Sequence, residues 1–341
     1  MVSPIIIFKN IFSKRYFMAG RIRKRKTLSY AKWGYLFILP FFIVYAIFQL
    51  YPMITTFVYA FQNVKKTAVD VVNAGWNNFD NFKYLFKTND WLKYFGQTML
   101  MQFMGFIPQL IVSLVLAVWF TDSRLKLKGA SFFKAVIYMP NLIMATAMAQ
   151  LFASMFYSGG PLHALFYHNS TQVAITDGSQ KWALRWLVGF INFTMWFGNT
   201  TILLMAGVMG IDDSIFEAAT IDGAGPIRTF KDITMPLLMP IFIYVFLTSL
   251  IGGIQMFDIP ANLVPNSTTG GSEYQICTII MYLNRFLGST KNYGRAGALS
   301  ILLFALTAVL SFIVFKTTST DMSAAKAKKR AKKAAAKKVN A

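Results

Sequence analysis

A single cysteine, Cys277, and two histidines are all that 341 residues supply of the common soft metal ligands. One cysteine excludes an internal disulfide and a cysteine-based metal cluster. His163 and His168 stand five apart with no carboxylate set beside them, which reads as a pair of surface histidines rather than a metal site. Acid is scarce as well, with 13 Asp and Glu against 34 Lys and Arg. The long apolar runs hold almost no Asp, Glu or His, and Asp258 stands only at the end of one of them. A proton relay or a catalytic constellation inside a membrane therefore lacks its titratable groups, which argues against an ion-driven carrier and against an integral membrane enzyme. No G-x-x-x-x-G-K-[ST] phosphate loop occurs, so the chain is not expected to hydrolyse ATP alone. No cleavable signal is read at the start, where apolar patches hold Lys9 and run into basic residues without a small-residue cleavage site. No internal repeat is found, and no cofactor is called for.

What the chain has is apolar bulk: 55% hydrophobic residues, only 14% charged, and a mean hydropathy of +0.48. That is far from an ordinary soluble domain and predicts a polytopic membrane protein, all-α in class. About 20 apolar residues cross a hydrocarbon core. Six spans are read, near Trp33 to Phe61, Thr98 to Phe120, Val136 to Tyr157, Trp186 to Met209, Leu237 to Phe257 and Ala298 to Phe315. A formal net charge of +21 would point to nucleic acid in a soluble protein; beside six apolar runs it points to membrane lipid, and no nucleic-acid partner is expected. The N-terminal arm carries nine Lys and Arg, the loop of Thr121 to Lys134 four, the segment before the fifth span two and the tail after Phe315 nine, so 24 of the 34 fall on one side of the six-span arrangement. Because cytoplasmic loops collect Lys and Arg, both termini and the segment before the fifth span are placed on the cytoplasmic side of the cytoplasmic membrane. The resulting divisions are a basic arm, 1–32; a transmembrane domain, 33–315; and a Lys/Ala-rich cytoplasmic tail, 316–341, whose Ala324 to Lys338 stretch is a helix when ordered. Gln275 to Leu287 is apolar but too short to cross, and reads as a re-entrant or interfacial helix on the outer side.

Between the fourth and fifth spans lies a polar hairpin, Glu217 to Pro240. Ser214-x-x-Glu217 reads as a capping box behind Asp212 and Asp213, starting a helix of about seven residues. Gly223 ends it, Gly225 and Pro226 suit a restart, and Pro236 and Pro240 mark the return to the apolar run. Within the spans, Asn192, Trp196 and Asn199 recur at helical spacing and share one face, while Gln255 lies near the outer end of the fifth span. Amides in a membrane are costly unless they face a partner or an aqueous cavity, and amides beside an aromatic face suit sugar hydroxyls and apolar sugar faces. Interhelical packing is the competing reading of the same residues. Thr248, Ser249, Gly252 and Gly253 read as close helix packing or a flexible bend.

The hairpin closely resembles the EAA loop of ABC importer permeases, whose pattern is EAA, three residues, Gly, nine residues, then Ile-x-Leu-Pro. Here it is Glu217, Ala218, Ala219, Gly223, Ile233, Met235 and Pro236, with Met235 in place of the usual Leu. The extended form, adding Asp222 and Ala224, is similar to the binding-protein-dependent sugar permeases of the maltose and glycerol-phosphate transporter type. Asn78-Phe79-Asp80-Asn81-Phe82, Phe132-Phe133-Lys134 followed by Met139-Pro140, and Tyr293-Gly294-Arg295-Ala296-Gly297-Ala298 fall where that family has similar pieces. The resemblance covers roughly Trp33 to Phe315 and implies the type I ABC importer permease fold. It implies that the loop near 212–236 docks in a groove of a cytoplasmic ATPase, with Glu217 facing a basic residue there and Gly223 allowing close approach or a sharp bend. It further implies a second homologous permease, two ATPase subunits and an extracellular solute-binding protein. The expected activity is carbohydrate import by alternating access, with another small solute such as glycerol phosphate or a polyamine as the alternative.

Overall fold

The computed structural model describes residues 31–67, 70–121, 129–166, 180–264, 270–271 and 273–339. Residues 1–30 of the basic arm and His168 lie outside them. The chain divides into two units, Met1–Ile54 and Thr55–Ala341.

The first apolar run forms α1, Lys32–Ala60. Pro40 is tolerated within it, and a π-turn at Ala46–Leu50 precedes Pro52, where the missing amide would otherwise interrupt the ladder abruptly. In the first unit Phe41 meets Phe42 edge-on and stacks on Tyr45.

The second unit begins within α1 and turns into a feature the sequence reading missed: an antiparallel hairpin, β1 (Gln62–Lys66) with β2 (Val71–Trp76). The helices that follow are α2 (Asp80–Thr88), α3 (Asp90–Thr121), α4 (Ala130–Tyr138), α5 (Ala145–Phe156), α6 (Pro161–Phe166), α7 (Lys181–Met209), α8 (Asp213–Ile221), α9 (Pro226–Ile254), α10 (Asp258–Leu263), α11 (Ile279–Gly288) and α12 (Tyr293–Val339). Among the described residues, five helices are long and apolar enough to cross a membrane: α1, α3, α7, α9 and the first part of α12. A bent pair, Ala130–Leu142 with Ala145–Leu165, turned by 90°, brings the candidates to six if it counts as one broken span.

That bend corrects the single unbroken third span of the sequence reading. Pro140 opens a 3-10 turn, Met139–Leu142, and Ile143 and Met144 are extended, so the helical ladder stops there. The broken end is held by α7: the Asn141 amide donates to the Met195 carbonyl at 3.2 Å, and a side chain at Gly198 would collide with the Ile137 carbonyl.

The main helix pair is α3 with α7, and it closes because Gly105 and Gly189 face each other. A Cβ on Gly105 would sit 2.5 Å from the Gly189 carbonyl oxygen. Small residues of this kind let helix backbones approach where lipid offers no hydrophobic drive for association. Two further helices, α9 and α12, pack alongside, and α11 fills the space between α3 and α12 through Ile279, Met281, Tyr282 and Phe286. The short apolar stretch of Gln275 to Leu287 thus holds a packed helix, capped when the Thr278 hydroxyl accepts from the Met281 amide and the buried Thr98 hydroxyl accepts from the Ile279 amide. Cys277, at its start, is fully buried, and burial pushes its thiol up to about 12.

The family-like pieces at the two ends of this bundle meet. Asn78 and Phe79 adopt positive φ, and the buried Asn81 amide then donates to the Ala60 and Gln62 carbonyls at 2.9 Å each. On α12, Gly294 and Gly297 lie against the same turn; a Cβ at Gly297 would stand 2.7 Å from the Thr56 carbonyl oxygen. Arg295 covers the ring of Tyr84 with its guanidinium 3.5 Å from the centroid. The α12 helix runs past Phe315 without a break, so the Lys/Ala-rich stretch continues the last span as helix through Val339.

His163 corrects a second expectation. It is 5% exposed, buried rather than on the surface, at the end of α6.

Candidate functional site: a polar cavity and an exposed helical knob

The hairpin after α7 is built as predicted in outline and differs at its cap. Asp212, not Ser214, is the N-cap: its side chain accepts from the Ser214 amide at 3.0 Å, which holds the Asp212 carboxyl below the usual carboxylate range. Moving the cap two residues upstream puts Glu217 on the second turn of α8, beyond the third helical position that a capping box requires. Glu217 therefore caps nothing. It is exposed, as are Ala218 and Asp222, while Ala219 is buried. Helix α8 is nine residues long, roughly 13 Å at 1.5 Å per residue, and it ends where Gly223 adopts φ +73°. A Cβ at Gly223 would meet nothing within 4 Å, so the glycine is required here for its backbone conformation and not for room within this chain. Gly225 caps the restart, Pro226 takes its first position, and a π-turn at Phe230–Thr234 carries the helix into Met235 and the exposed Pro236. Pro236 and Pro240 thus lie inside one continuous helix, α9. The knob leaves Ile221 86% and Ile227 84% exposed beside Glu217, an apolar and acidic surface.

The four polar residues singled out in the spans converge. Asn192, Trp196 and Asn199 on α7 and Gln255 after α9 all line one cavity of about 460 Å³ between α3, α7, α9 and the start of α10. Trp196 is 45% exposed, Asn199 half-buried and Gln255 exposed, so these three present polar or aromatic surface to the space. Asn192 is different: it is buried and its amide donates to the Gln102 side-chain oxygen at 3.2 Å. Gln102 in turn donates to the Ser249 carbonyl at 2.9 Å, tying α3, α7 and α9 together. Both readings of these amides therefore apply, packing for Asn192 and an open lining for Asn199.

Two glutamines that the sequence reading passed over belong to the same wall. Gln102 and Gln109 stand seven apart on α3, and Gln109 donates to the Thr200 hydroxyl at 2.7 Å. The signal that found Asn192 and Asn199, an amide inside an apolar run at helical spacing, applies equally to them. The Thr248, Ser249, Gly252 and Gly253 cluster also lines the cavity, and Gly253 packs directly on the Gln102 side chain. Among the described residues, no group of three His, Cys, Asp or Glu could hold a metal.

No family model matches the chain. It is 28% identical over 303 residues to the arabinooligosaccharides transport system permease AraP of Bacillus subtilis, covering 86% of this chain and 92% of that one. It is 28% identical over 313 residues to the lactose transport system permease LacF of Rhizobium radiobacter, covering 87% and 98%. Among solved structures, a chain of a bacterial ABC transporter involved in import of the acidic polysaccharide alginate superposes with a TM-score of 0.70 at 19% identity, covering 92% of this chain and 98% of the other. With permease relatives matched over most of their length, the spans of a multi-pass membrane protein and an ABC importer permease fold, the chain is a homologue of the permease subunits of ABC transport systems, a transport protein rather than an enzyme.

Proposed function

We propose that this subunit passes a carbohydrate through the cytoplasmic membrane by alternating access, with the cavity of α3, α7 and α9 as its half of the translocation path. The observation that carries the reading is the convergence of Trp196, Asn199 and Gln255 on one largely apolar cavity studded with amides. Amides donate to and accept from hydroxyls, and the indole offers an apolar face, the two surfaces a sugar ring presents. Asn192 supports the wall through Gln102. Relatives named for arabinooligosaccharides and lactose support the same substrate class.

In this reading a second, homologous permease closes the cavity from the other side. Two ATPase subunits dock on the α8 knob through Glu217, Ala218, Ala219, Asp222 and Gly223, with Pro236 at the foot of the return helix. A solute-binding protein outside delivers the sugar, as the solved alginate importer complexed with an alginate-loaded periplasmic protein illustrates for its own system. The Lys and Arg distribution supports both termini and α8 on the cytoplasmic side. The arm of 1–32 and the tail of 316–341 are read as cytoplasmic, membrane-proximal extensions. ATP binding closes the ATPase pair, the docked knobs move, and the paired permeases open outward; hydrolysis resets the cycle.

The test is ATP-dependent uptake of labelled mono- and oligosaccharides by the assembled complex in proteoliposomes, with glycerol phosphate and a polyamine alongside. Uptake of at least one saccharide is expected. Uptake of glycerol phosphate or the polyamine with no saccharide transported would replace the reading.

A further inference from the structure

The charge of the cavity wall restricts which sugars it suits. Nineteen residues line the space, and five of them are amides, Gln102, Gln109, Asn192, Asn199 and Gln255. Among the described residues, the one charged side chain in that lining is Asp258. It stands at the start of α10, shortly after α9 ends, and it is exposed. Its carboxylate has no ion pair or hydrogen-bond donor among the described residues; the Asn262 side-chain amide donates instead to its backbone carbonyl at 2.8 Å.

The chain holds 34 Lys and Arg, yet none of the described ones lines the cavity. The nearest candidate on α7, Arg185, is buried elsewhere, its guanidinium donating to the Gln275 carbonyl at 3.0 Å and lying over Trp182. An acidic sugar entering this space would lose hydration without gaining a counter-ion, and would meet a like charge. A neutral sugar loses nothing to Asp258, and an ammonium-bearing one gains a partner.

We propose that the cavity selects by charge, admitting neutral and amino-bearing oligosaccharides and rejecting acidic ones, with Asp258 as the specificity-determining residue. The inference rests on the carbohydrate reading above. It separates this chain from the alginate importer with which it shares a fold, since that transporter handles an acidic polysaccharide.

The experiment uses the complete purified transporter, both permeases with their ATPases, without a binding protein, so that the cavity alone discriminates. Equilibrium dialysis at low salt measures three labelled probes: cellotriose as the neutral one, a glucosamine trimer as the cationic one and a galacturonate trimer as the anionic one. A single charge facing the ligand across partly solvated space predicts retention of the anionic probe roughly tenfold weaker than the neutral one. Asp258→Asn, nearly isosteric, narrows the gap between cationic and anionic probes; Asp258→Lys reverses their order. Equal retention of anionic and neutral probes by the wild type, or an unchanged gap in Asp258→Asn, overturns the inference and leaves the carbohydrate reading standing. Absence of binding by all three probes in every variant removes the carbohydrate reading and the inference with it. Where Asp258→Lys fails to assemble, Asp258→Asn alone decides.

Discussion

Substituting alanine at Gly253 tests the packing that shapes the cavity. A Cβ there would collide with Cγ and Cδ of Gln102, and the Gln102 oxygen would lie 2.7 Å away. Gln102 has to move, and it cannot do so while still donating to the Ser249 carbonyl at 2.9 Å and accepting from Asn192 at 3.2 Å. Interhelical polar bonds in membranes contribute about 0.6 kcal/mol on average and about 1.7 at most. Overpacking a filled position costs about 1–3 kcal/mol, and the exchange of Gly for Ala in a helix returns about 1. Gly253→Ala should therefore destabilise the subunit by about 1–3 kcal/mol. Its neighbour is the control: a Cβ at Gly252 meets nothing within 4 Å, so Gly252→Ala should be neutral or slightly stabilising. Adding Gln102→Ala removes the obstruction, and in that background Gly253→Ala should cost nothing further, a coupling of at least about 1 kcal/mol between the two sites. Thermal unfolding of the detergent-purified complex reads all four variants. Wild-type stability in Gly253→Ala, or an undiminished loss in the double variant, would refute the reasoning.

Charge reversal by Glu217→Lys should weaken co-purification of the ATPase or uncouple hydrolysis from sugar, since an interface loses several kcal/mol when one partner of a buried pair is reversed. Because Asp212 and not Glu217 belongs to the cap, α8 itself should survive that change, and Glu217→Gln should show a milder defect of the same kind. Gly223→Trp strains a backbone at φ +73° and should lose assembly; normal association and stimulation in both Glu217→Lys and Gly223→Trp would end the docking assignment. With its thiol pushed up to about 12, Cys277 should resist maleimide at neutral pH. A raised thiol contributes stability that is whole below its unfolded value of about 8.5 and is lost as pH climbs toward 12, so native-state labelling should appear only in strong alkali. In a Cys277→Ser background, cysteines at the exposed Ser214 and Ser289 should divide by side: an impermeant reagent on intact cells should reach position 289 and spare 214, and the opposite pattern would invert the topology.

The spans were legible because a membrane leaves so few options. Apolar length and a shortage of charge mark α1, α3, α7, α9 and α12, but α3 starts at Asp90 rather than Thr98 and α9 at Pro226 rather than Leu237, because a helix continues through polar turns that hydropathy does not count. Hydropathy cannot report a bend, and the break after Pro140 was hidden inside a run whose average stayed high; Met139-Pro140 was on view but was absorbed into the span. The hairpin of β1 and β2 escaped because its register is irregular between Gln62 and Val64 and its strands do not alternate cleanly between apolar and polar. Capping at Asp212 rather than Ser214 turns on a shift of two residues between equally good acceptors, a choice local sequence leaves open. At the cavity, three amide positions on α7 and α9 were found and two on α3 were not, although the same physical cost marks all five. What no periodicity could supply was the register between helices, which decides that Asn192 spends its amide on Gln102 while Asn199 faces open space.

The central claim is that the polar wall of α7 touches the transported sugar. The direct measurement is uptake across the saccharide panel by complexes carrying Trp196→Ala or Asn199→Ala, with ATPase co-purification recorded for each. The account predicts reduced uptake or an altered order of preference among sugars in both variants while the ATPase remains bound. Wild-type uptake of every sugar in both variants would contradict it.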